Sequence, residues 1–119
     1  MYLVTANKPR QILHLIFAGR VTMAELQNGE GDLREVIKDF TPGFTLITDL
    51  ERAESIEPEC ARPIGATMEL CDRHGIGRVI RVIPDQAKDI GFNILSAFHY
   101  TRAPRTLVFK KLIQAVEAL

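Results

Sequence analysis

The sequence predicts an α/β fold on a mixed, mostly parallel sheet, with an N-terminal β-hairpin and the element order β-β-α-β-α-β-α-β-α, in one domain over residues 1–119. Three observations carry that prediction. Beyond the first twenty residues, β-prone runs alternate with segments whose apolar residues recur at helical spacing, the pattern of βαβ units. The first two β-prone runs are separated by only Asn7-Lys8-Pro9-Arg10. A parallel crossover needs a dozen or more residues, so the chain opens with an antiparallel hairpin. Finally, Phe44–Leu50 is almost continuously apolar, as expected of a strand buried on both faces.

Taken in order, Tyr2–Ala6 is a short β-prone run. Gln11–Val21 is the second strand, with Leu13, Leu15 and Phe17 on one face and Ile12, His14 and Ile16 on the other. Thr22 and Glu25 form a T-x-x-E capping box that opens the first helix. Gly29 and Gly31 weaken that helix by roughly 1 kcal/mol each relative to Ala. Leu33, Val36, Ile37 and Phe40 then supply an apolar stripe, and Thr41-Pro42-Gly43 ends the helix. The Phe44–Leu50 strand runs into an acidic stretch, Glu51–Glu59, read as a loop. A second helix follows, with Cys60, Ile64, Met68 and Cys71 on one face and Gly75 as its stop. Arg78–Pro84 is the next strand, in which Arg78 and Arg81 face either an interface or water. A third helix spans about 87–100, a short strand Thr106–Phe109, and a last helix Lys111–Leu119.

Composition narrows the function. Lys plus Arg and Asp plus Glu are 15 each, so the formal net charge is zero. A nucleic-acid binder shows a basic excess or stripe, and neither is present. No segment approaches the roughly 20 apolar residues of a membrane span. Met1–Arg10 lacks the basic start and apolar run of a secretory leader. The two cysteines, Cys60 and Cys71, would lie about 16 Å apart on one helix, too far for a disulfide. Unpaired thiols fit a reducing compartment, so a cytoplasmic location is expected.

The element order, the central strand Gly43-Phe44-Thr45-Leu46-Ile47-Thr48-Asp49-Leu50, the acidic stretch before the second helix and the run Lys88-Asp89-Ile90-Gly91-Phe92-Asn93-Ile94-Leu95-Ser96 together resemble the STAS domain of bacterial anti-sigma-factor antagonists. The resemblance covers nearly the whole chain. It implies a non-catalytic regulatory module whose partner is a protein, an anti-sigma factor or kinase-like regulator, with a second copy of the chain as a further partner. In that family a serine at the mouth of the second helix is phosphorylated. Aligned from the central strand, that position falls on Glu59 within Glu57-Pro58-Glu59-Cys60, so the phosphoswitch does not carry over. The partner-binding candidates are Ser55, Glu57, Glu59 and Arg62. A carboxylate at a helix N-terminus is favourable by about 0.3–1 kcal/mol. Glu59 thus reads either as a fixed charge in place of a phosphate or, with Glu57 and Pro58, as ordinary capping. Pro63 requires that the helix begin near Arg62 or that its first turn be distorted.

Other chemistries lack the residues they need. Asp49 and Lys110 suit a phosphoacceptor receiver, but the acidic pair after the first strand is replaced by Ala6-Asn7-Lys8, which leaves magnesium short of oxygen ligands. Cys60 near a helix start is opposed as a nucleophile by Glu57 and Glu59. His14, His74 and His99 have no metal-ligand spacing, and Gly75-Ile76-Gly77 precedes a strand rather than following one. No cofactor, no metal site and no catalytic constellation are expected. Ligands of open α/β sheets bind beyond the carboxyl ends of the strands. A candidate ligand site is therefore Asp49, Asp85 and Lys88, Lys88 reading otherwise as a cap of the third helix with Asp89. The alternative function is a carrier or sensor of a small, partly hydrophobic ligand, held under the apolar stripe Ile90, Ile94, Leu95 and Phe98.

Overall fold

The computed structural model describes residues 1–85, 95, 99–102 and 104–119. The expected third helix over 87–100 falls outside them except at Leu95, His99 and Tyr100, and Lys88 and Asp89 lie outside altogether.

The strands are β1 (Tyr2–Asn7), β2 (Ile12–Val21), β3 (Thr45–Ile56), β4 (Arg78–Val82) and β5 (Arg105–Phe109). They form a five-stranded sheet in the order β1-β2-β3-β4-β5. β1 pairs antiparallel with β2, and every other neighbour is parallel. The helices are α1 (Met23–Ile37), α2 (Ala61–Arg73) and α3 (Leu112–Glu117), with a 3-10 turn, Pro58–Cys60, before α2. The sheet is mixed and mostly parallel, with the hairpin at its start.

Alternation along the strands divides the side chains between two cores. Leu13, Leu15, Phe17, Leu46, Leu50, Val79 and Ile83 face α1 and α2 and meet Leu26, Leu33, Ile37, Ile64, Met68 and Cys71. Ile12, Ile47, Ile80 and Val82 face the other way and meet Ala115 of α3, with Phe109, Leu112 and Leu119 at the edge. The face predicted for Leu13, Leu15 and Phe17 is therefore the major core.

Local chemistry explains the helix ends. Thr22 Oγ1 accepts from the Glu25 amide while Glu25 Oε1 accepts from the Thr22 amide, so the capping box is complete. At the end of α2, Gly75 (φ +80°) donates to Asp72 O and Ile76 donates to Cys71 O, the paired bonds of a Schellman stop. Pro63 occupies the third position of α2, where its missing N–H is one of the four that have no intrahelical partner, so it costs no hydrogen bond. The first of the two predicted solutions holds: a 3-10 turn absorbs Pro58–Cys60 and the α-helix starts at Ala61.

Three expectations are corrected. The acidic stretch is not a loop as far as Ile56. β2 is 10 residues long, and its second half needs a partner, so β3 stays extended and pairs Ala18–Val21 with Arg52–Ile56. Gly29 is not merely a weak helix residue. Its α-hydrogen faces the Tyr2 ring, and a Cβ there would lie 2.5 Å from Tyr2 Cε2. Arg81 faces neither an interface nor water; it is 1% exposed on the major-core face, beside Tyr100 across a small void. Arg78 is half-buried on the opposite face and donates from Nε to Thr45 Oγ1 at 2.9 Å.

Candidate functional site

The residues singled out from the sequence fall, among the described residues, chiefly at the entrance of α2 and on the face of the sheet that carries α3.

At the α2 entrance, Ser55 is the penultimate residue of β3, opposite Arg20, and is exposed. Glu59 and Arg62 are exposed in the 3-10 turn and the first turn of α2, and neither side chain has a partner among the described residues. Glu57 differs. Its Oε1 accepts from the Met23 amide at 3.2 Å and its Oε2 lies 3.7 Å from Arg20 Nη2. Glu57 makes no cap bond to the turn it begins. The carboxylate expected to cap α2 instead caps α1, ties the two helix entrances together and leaves Glu59 as the free acid. At the same corner the Met1 ammonium donates to Ala18 O and pairs with Glu25 Oε2 at 2.8 Å. That ammonium and the Thr22 amide hold the Glu25 carboxyl below its ordinary value.

Cys60 lies sealed beneath this corner, with Sγ 3.8 Å from Val21 O. Burial pushes its thiol up, and Glu57 and Glu59 push in the same direction, so it is no activated nucleophile. Cys71 is likewise buried, and burial raises its thiol to about 12. The Tyr2 and Tyr100 hydroxyls are raised by burial and, in lesser degree, by Cys71; Arg81 acts against the rise at Tyr100.

On the α3 face, Asp49 and His14 form a pair that sequence reasoning missed. Asp49 is 7% exposed; its Oδ2 lies 3.2 Å from His14 Nε2 and its Oδ1 accepts from the Glu51 amide. His14 and Ile16 stand on β2, and the parallel register sets Ile16 beside Asp49. They floor a cleft of about 360 Å³ with Met1, Leu3, Ala18, Glu51, Arg52 and Leu112 among its walls. Of the predicted ligand set, only Asp49 is found here. Asp85 is exposed beyond the end of β4, and Lys88 lies outside the described residues. Among the described residues no group of three or more His, Cys, Asp or Glu could hold a metal ion, and no helix is long and apolar enough to cross a membrane.

The whole chain superposes on solved structures of one kind. It matches the anti-sigma-factor antagonist SpoIIAA in its unphosphorylated form at TM-score 0.68 over 99% of this chain and 96% of that one, with 15% identity. The fold is that of the STAS domain. An uncharacterised protein from Shewanella loihica with a SpoIIAA-like fold matches at 0.71, covering 100% and 92%, with 12% identity. An anti-sigma-factor antagonist from Mycobacterium paratuberculosis matches at 0.59, covering 99% and 92%, with 21% identity. No family model matches the sequence, and no curated protein does. At such identities the STAS architecture is shared while the side chains of the two sites are this chain's own.

Proposed function

We propose that this STAS-fold chain is a non-catalytic regulatory module that docks a protein partner through the entrance of α2. The observation that carries the reading is the state of Glu59. It is an exposed carboxylate at the position that the resemblance, counted from the central strand, sets at the phosphoacceptor, and Glu57 is diverted to α1 and does not compete with it. Glu59 supplies a permanent negative charge at a helix start, flanked by Arg62 and Ser55, so the surface is held in one electrostatic state rather than toggled. Solved anti-sigma-factor antagonists with this fold support a partner of the anti-sigma or kinase-like kind.

The test is a pull-down with the immobilised full chain, comparing the wild type with a Glu59→Lys/Arg62→Glu variant. Both positions are exposed, so the variant should keep its circular dichroism spectrum and melting temperature. A partner retained by the wild type and lost by the folded variant supports the site. An unchanged set of partners overturns it. Glu57→Lys is unsuitable for this purpose, because it removes the acceptor of the Met23 amide and perturbs α1 as well.

A further inference from the structure

The cleft on the α3 face is built by an irregularity in the sheet. Between Ile16/Asp49 and Ala18/Arg52 the register shifts, so β3 spends one residue more than β2 over the same span. In a regular strand Asp49 and Arg52 would point to opposite faces. The bulge re-aims the second half of β3, and Asp49, Glu51 and Arg52 all line the same cleft as His14.

Each polar group in that cleft can be accounted for. Asp49 is occupied by His14 Nε2 and the Glu51 amide. Glu51 Oε2 accepts from the Leu112 amide at the start of α3, at 3.1 Å. The Met1 ammonium is held by Ala18 O and Glu25. What remains is the exposed Arg52 guanidinium, which has no partner among the described residues, and the second ring nitrogen of His14. Around them stand the apolar side chains of Leu3, Ile16 and Leu112, with Leu3 45% exposed.

We infer that this cleft binds a small carboxylate with a short apolar body. The carboxylate pairs with Arg52, the residue type whose planar fork matches it. The apolar body covers Leu3 and Ile16. Asp49 Oδ2, 3.2 Å from Nε2, fixes the His14 ring as part of the cleft floor beside the bound molecule. The charged groups around His14 are Asp49, Glu51 and Arg52 on β3 and the engaged Met1 ammonium; Thr5, its partner on β1, and Leu112 of α3 carry no side-chain charge.

The experiment is a titration of the full chain with hexanoate, read by NMR at the His14 ring and at the Leu3 and Ile16 methyl groups. 1-Hexanol and hexylamine serve as probes that keep the body and remove or reverse the charge. The expected result is saturable hexanoate shifts at those nuclei, with both controls and Arg52→Gln about tenfold weaker or worse. His14→Gln should retain binding, because Arg52 holds the carboxylate. Three outcomes overturn the inference: no saturable shift at those nuclei, hexylamine or 1-hexanol binding as well as hexanoate, or affinity unchanged by Arg52→Gln. Arg52 is exposed and His14 is replaced by a residue of similar size, so folding of both variants is checked by their unchanged amide spectra elsewhere.

Discussion

Under α1 and α2 the sheet presents Leu13, Leu15, Phe17, Leu46 and Val79, all nearly sealed from solvent, whereas the opposite face is covered by a helix of 6 residues and leaves Leu3, His14 and Ile16 around an open cleft. The same strands make both surfaces, so the difference is not one of strand propensity. It comes from what covers each face. Among the described residues, α1 and α2 together with Leu95 and Tyr100 cover one face, and the other is covered where α3 lies over Ile47, Ile80 and Val82. The first face is therefore committed to stability. The second keeps polar side chains at its open half without breaking the core, because their neighbours satisfy them.

That contrast can be broken or sharpened by mutation. The largest effect is expected for Leu13→Ala, which empties a fully buried site of the major core and should lose about 2–5 kcal/mol. Leu3→Ala on the open face should stay within about 0.5 kcal/mol. Urea denaturation measures both, and equal losses would mean that the open face is structural after all. Gly29→Ala comes next. Helix propensity favours Ala by about 1 kcal/mol, yet the new methyl meets the Tyr2 ring, so a net loss of about 1–3 kcal/mol is expected. Gly31→Ala on the same helix meets nothing within 4 Å and should gain about 0.5–1 kcal/mol. Opposite signs for two glycines only two positions apart, in the same thermal melt, would locate the hairpin against α1. Thr22→Ala should lose about 0.5–2 kcal/mol by uncapping α1.

The smallest effect is a pH dependence. The Glu25 carboxyl is depressed in the folded chain by the Met1 ammonium and the Thr22 amide. The unfolded chain therefore binds the proton more readily, and the stabilisation is fully present above the ordinary carboxylate value. It is lost as pH falls through the lower folded value. Glu25→Gln should flatten the acid limb of a stability–pH curve, and a limb identical to the wild type would show that another carboxylate sets it.

Local patterns carried most of the fold into the sequence. The four-residue connection, the Thr22/Glu25 box, the stripe through Cys60, Ile64, Met68 and Cys71, and the Gly75 stop are each settled within a few residues of chain. The parts that escaped depend on partners distant in sequence. The extension of β3 to Ile56 is imposed by the length of β2, and its signal was the half-buried pair Ala53 and Ile56 within an otherwise polar stretch. The His14–Asp49 pair needs the parallel register and the face of each strand together, 35 residues apart. Glu57 was legible as a capping acid, but not which helix it would cap. Arg81 reads as facing an interface or water, because burial of a charge in the core is costly and therefore a poor default.

One feature of the topology bears on how the chain acquires its structure. The sheet order follows the sequence order without exception, β1-β2-β3-β4-β5. Each strand joins the one that preceded it in the chain, so no strand has to wait with an open edge for a segment far ahead. Loop closure therefore runs over one crossover at a time, from Val21 to Thr45, Ile56 to Arg78 and Val82 to Arg105, and never across the whole chain. During synthesis the growing sheet extends at one edge, from the hairpin outward. The face that will be sealed by α1 and α2 is covered as those helices emerge, and the α3 face is covered last.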